Sequence, residues 1–184
     1  MFFFDEKEKD FVFKPRSVEF AYLAVLNDNL PAAKSVFESI DSSRALWGVS
    51  LVEILSGFAE RIPTYFEIRN FMEIDLDFLI KNKKIDYVEQ LLGSLEFLSN
   101  INREVYKYTA RVMQVNKLYN ASIKYMEKAK EIFYNDPELQ FMLAKYYLTM
   151  QEYKKADYCI SECLKFIPSY FPAIKLKKEL ADHL

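Results

Sequence analysis

Residues 103–136 and 137–170 carry one pattern twice at a 34-residue offset, and this self-similarity limits the possible fold more than any other feature of the chain. The shift pairs Ala110 with Ala144, Met113 with Tyr147, Tyr119 with Tyr153, Met126 with Ile160, Ala129 with Cys163 and Phe133 with Ile167. Within the second copy, Leu139, Met142, Leu143, Tyr146 and Tyr147 recur at three- and four-residue spacing. Tyr153, Ala156, Ile160, Cys163 and Ile167 do the same, so each half predicts a helix with one apolar face. Asp136 followed by Pro137 is an N-cap with proline in the first helical position, and Pro168 ends the second helix. Ala144, Ala156 and Cys163 are small where two helices must approach closely. A pair of this kind cannot bury both faces alone and needs a neighbour like itself.

The period and the small residue in the middle of each helix resemble the tetratricopeptide repeat (TPR) family. Leu143, Ala144, Tyr147, Tyr153, Ala156, Ile160, Cys163 and Pro168 stand at that family's signature positions. Gln140 stands where the family often has tryptophan, Gln151 at its inter-helix glycine, and Ser122 at the second-helix alanine of the upstream copy. The likeness is strongest over 137–170, weaker over 103–136, and fades upstream. It implies an all-α fold, a short right-handed α-solenoid of antiparallel helix pairs, with divergent N-terminal helices.

The rest of the chain divides around these copies. Residues 1–13 read as a flexible arm, with phenylalanines flanking the charged DEKEKD. Residues 14–100 read as divergent helical repeats, with helices expected near 17–26, 31–40, 43–60, 64–80 and 85–99. The helix over 43–60 is one too many for a simple series of pairs. Leu79, Ile85, Val88, Leu92 and Leu95 fit the 34-residue frame, but Asp75 occupies a normally apolar position. Residues 101–184 hold the clear repeats and a terminal helix from Phe171, with Ala173, Leu176, Leu180 and Leu184 inward and Lys175, Lys178, Glu179 and Asp182 outward. Its polar outer face suits the end of a stack.

Composition narrows the chemistry. Apolar residues make up 51% of the 184, with only three glycines. No glycine-rich phosphate loop is possible with Gly48, Gly57 and Gly93 so dispersed. The one histidine, His183, leaves histidine-based catalysis and zinc sites without their parts. Cys159 and Cys163 could supply half a metal site, but Cys163 falls at a small buried position and reads as core. Asp75 and Asp77, two apart on a helix, face different ways. Neither an enzyme nor a cofactor or metal site is expected. Two cysteines four apart offer no disulfide framework, and no run of eighteen apolar residues spans a membrane, so a cytoplasmic protein is expected.

Charge is uneven. Residues 1–100 hold 11 basic against 17 acidic residues, and 101–184 hold 14 against 10. A net of +4 spread over helix pairs is a weak footprint for nucleic acid, and no nucleic-acid partner is expected. What remains is a surface. Glu138, Phe141, Lys145 and Leu148 form a stripe on one first helix; Glu104, Lys107, Arg111 and Gln114, and then Asn70, Glu73, Asp77 and Ile80, lie beside it in the frame. The resemblance implies that such positions line a concave groove receiving a protein or peptide. Lys107, Arg111, Phe141, Lys145 and Leu148 are therefore the expected partner-binding residues, an apolar pocket with cationic anchors that would suit an acidic partner segment. Asp77 and the missing asparagines disagree with the family's carboxylate clamp, so that specificity is not carried over. The expected function is a scaffold or adaptor module for protein–protein interaction. The alternative is a regulatory or signalling subunit that binds a short peptide and changes its helix packing. Oligomeric state is not legible in the residues.

Overall fold

A computed structural model describes residues 16–181 and His183. The expected arm at 1–13, the inward Leu184 and the outward Asp182 lie outside the described residues. All regular structure among the described residues is helical, in eleven helices. The chain separates into two compact units after Pro63.

The first unit contains α1 (Val18–Leu26), α2 (Leu30–Glu38) and α3 (Ser43–Leu55). Ser17, Asn29 and Ser42 cap them, each side-chain oxygen accepting a backbone N–H three residues on, at 3.1–3.2 Å. Helix α3 packs on α2 at Gly48, where an added Cβ would lie 2.5 Å from the Phe37 ring. It is buried nearly all round, including Trp47 and the carboxylate of Glu53. That carboxylate accepts the backbone N–H groups of Glu60 and Arg61 and pairs with Lys34 at 2.9 Å. The helix expected over 43–60 stops at Leu55 because Gly57 turns the chain at φ 85°, with Phe58 N–H donating back to Glu53 O.

The second unit runs α4 (Tyr65–Lys81), α5 (Ile85–Gly93), α6 (Leu95–Ser99), α7 (Val105–Val115), α8 (Tyr119–Ile132), α9 (Pro137–Thr149), α10 (Tyr153–Phe166) and α11 (Phe171–Ala181). Three antiparallel pairs, α4/α5, α7/α8 and α9/α10, stack in chain order, with α11 against α10. This is the arrangement that the 34-residue period implied. Compactness places α4 and α5 with the clear repeats rather than with the residues before 63, since α4 packs directly on α7. The helix expected over 85–99 is two helices, broken where Gly93 meets Ser94 and the Ser94 hydroxyl donates back to Leu91 O at 2.7 Å.

The repeat frame is most regular at its turns. Lys83, Lys117 and Gln151, spaced 34 apart, all have φ between 57° and 61°. In each case the next residue donates its N–H five residues back, to Leu79, Met113 and Tyr147, at 2.8–3.0 Å. This is the Schellman closure, here made by non-glycine residues. Asp28, between α1 and α2, has the same turn.

Small residues let the pairs close. Ala110, Ala129, Ala144, Ala156 and Cys163 are fully buried in the core that Met126, Leu139, Leu143 and Ile160 fill. Ser122 is fully buried too, and its hydroxyl is satisfied by Ala110 O at 2.8 Å. Burial pushes the Cys159 and Cys163 thiols up.

Candidate partner-binding surface

The expected site residues sit on α7 and α9, the first helices of two adjacent pairs. Positions 73, 107 and 141 are equivalent in the repeat frame, as are 77, 111 and 145. Helices α4, α7 and α9 therefore bring Glu73, Lys107 and Phe141 into one row and Asp77, Arg111 and Lys145 into the next.

Lys107 is not an open anchor. Its side chain is only 5% exposed, and Nζ lies 2.7 Å from Asp136, 3.2 Å from Glu104 and 3.5 Å from Glu138. It also lies 4.9 Å from the Phe133 ring centroid. Burial opposes its charge, but Asp136 and Glu104 more than offset this and raise its pKa. Asp136 shows the reciprocal effect: burial pushes its carboxyl up, while Lys107 and the Leu139 N–H that it caps at 3.1 Å bring it below the usual range. Glu104 is held low chiefly by the Tyr108 hydroxyl, which donates at 2.7 Å. Burial and that carboxylate push the Tyr108 hydroxyl to about 12.

Arg111 is engaged as well. Its Nη1 donates to both carboxylate oxygens of Glu73, at 2.8 and 3.0 Å, and Nη2 pairs with Glu138. Burial raises the Glu73 carboxyl by more than Arg111 lowers it, with Glu138 adding repulsion. The result is one ionic ladder across three first helices, with Glu73 on α4, Lys107 and Arg111 on α7, and Glu138 on α9. Asn116, donating to Asp77 at 2.8 Å, and Gln114, donating to Met142 O at 3.1 Å, cross-link the same helices.

Lys107 and Arg111, expected as cationic anchors for a partner, are both engaged within the chain. Their charges already meet four carboxylates from this chain, because neighbouring first helices present opposite charges at facing frame positions. Phe141 and Leu148 are half-buried against the core of α9 and α10, and Phe141 meets Tyr170 edge-on at 5.3 Å. Lys145 is exposed and has no ion pair among the described residues. The structure thus joins Lys107 to Arg111 through their shared partner Glu138, while Lys145 stands on α9 outside that ladder. Sequence reasoning missed Asp136 as a ladder member, although its place before Pro137 fixed it at a helix start.

No family model matches the chain, and no curated protein matches it. Among solved structures, the chain is similar to a thermophilic TPR protein of Thermus thermophilus. The TM-score is 0.43 with 15% sequence identity, over 92% of this chain and 96% of that one. At this level of likeness the fold rests on the periodic geometry described above. No helix among the described residues is long and apolar enough to cross a membrane.

Proposed function

We propose that this chain is a protein-interaction module, a non-catalytic scaffold or adaptor whose partner segment lies along α9 on the first-helix side of the second unit. The observation that carries this reading is the exposed, unpaired Lys145 between the half-buried Phe141 and Leu148, next to a wall already rigidified by its own ion pairs. Apolar surface beside one free cation suits a segment with an apolar side chain and a nearby carboxylate. Lys107 and Arg111 act in this reading as struts that hold α7 against α4 and α9, so that binding requires little reordering.

The test places a photo-crosslinking residue at position 145 and, as a control, at the exposed Lys178 of α11. A single partner should crosslink from position 145 alone, and Lys145→Glu with Leu148→Ser should abolish its recovery while helicity is kept. Equal crosslinking from both positions, or undiminished recovery by the double variant, would remove α9 as the site.

A further inference from the structure

We propose that the start of α10 is a second docking site, and that it takes an extended acidic segment of a protein partner bearing an aromatic or apolar side chain. A pocket of about 350 Å³ lies among α8, α9 and α10. Leu143, Tyr147 and the buried Cys159 give it apolar lining, and Tyr158, 62% exposed, adds a second ring. Lys130 enters from the last turn of α8, and Lys154 and Lys155 enter from the first turn of α10. Lys155 pairs with Glu152 and lies 5.3 Å from the Tyr147 ring centroid. Lys130 and Lys154 have no ion pair among the described residues.

The helix itself adds to this positive field. No side chain caps the N-terminus of α10, and the two lysines of its first turn sit at the positive end of the helix dipole, where cations are disfavoured. An anion is the natural complement. The shape favours a chain segment over a compact ion. A second pocket of about 380 Å³ adjoins the first, shares Lys154 and Lys155, and contains Tyr153 and His183, stacked at 4.8 Å. The lysines therefore stand between two hollows, as carboxylates flanked by side chains would require. Glu127 in the first pocket disfavours a dianionic phosphate more than a single carboxylate. This site does not depend on the reading of α9.

The test is fluorescence anisotropy of the full chain with a labelled hexapeptide of alternating glutamate, phenylalanine and aspartate. Saturable binding is expected to persist in Lys145→Glu, where the α9 cation is removed, and to weaken at least about tenfold when Lys130→Glu and Lys154→Glu are added to that variant. All three lysines are exposed, and circular dichroism should show intact helicity in each variant. Absence of saturation, equal binding by the triple variant, or saturation by AMP or inorganic phosphate without a response to the peptide would each overturn the proposal. Complete loss of saturable binding in Lys145→Glu alone would also overturn it, because it would move the whole of the segment to α9.

Discussion

Arg111 and Lys145 occupy the same position in consecutive repeats, yet one is clamped and the other is open. Arg111 has Glu73 on the preceding first helix and Glu138 on the following one. Applying the 34-residue shift to those partners puts Lys107 and Pro172 around Lys145, and neither is an anion. The difference comes from the neighbours and not from the residue's own helix. In a stacked array, a charge that is structural in an interior repeat becomes available where the array runs out of complementary neighbours.

The largest test of this contrast is removal of each cation. Lys107→Met should cost about 3 kcal/mol, because it leaves half-buried carboxylates without their ion. Lys145→Met should change stability by no more than about 0.5 kcal/mol in urea titrations. Equal costs would end the distinction between clamped and open positions.

The same pair predicts a pH dependence. The folded pKa of Asp136 lies below its ordinary value, so its contribution is complete above the usual carboxylate range and is lost as pH falls through the lowered folded value. The stability gap between the intact chain and Lys107→Met should therefore narrow on acidification below about pH 4. A gap that is constant down to complete acid unfolding would show that the carboxylate is not held low by Lys107.

Packing should be alike in both repeats even though their charges differ. Ala110→Leu and Ala144→Leu should each destabilise by about 1–3 kcal/mol by overpacking the helix contact. A cost at one position only would confine close approach to one pair. Smaller gains should come from the turns: Gln151→Gly relieves a left-handed backbone at φ 59° and should add about 0.5–1 kcal/mol. The smallest effect is the most pointed. Pro172→Glu supplies the anion that Lys145 lacks and should add up to about 0.5 kcal/mol, lost in high salt.

The sequence made α7 to α10 legible because apolar spacing, small residues and the Asp136–Pro137 start all agreed. It overran α3 and joined α5 to α6, where the stop signals are single residues, Gly57 and the Gly93–Ser94 step. The ladder was half legible. Glu73, Glu104 and Glu138 stood in the same stripes as Lys107 and Arg111, and opposite charges on adjacent first helices were the sign that they would pair. The anchor reading treated each helix as facing a partner before asking what faced it from the next repeat. The pocket at α10 lay outside that reading because its lining comes from three helices, and only their stacking joins Lys130 to Lys154.

The matching turns at Lys117 and Gln151 make the 34 residues from Leu118 to Gln151 a cassette whose two ends are conformationally interchangeable. A gene carrying this cassette twice would encode a longer array with no new joint, since the added copy begins after the same left-handed residue that precedes the original. In that array the first Lys145 would face the duplicated Glu138 and gain the following partner that Arg111 has, with Lys107 still on its preceding side. The open cation would reappear one repeat further on, beside α11. Duplication would thus move the open cation along the array without erasing it.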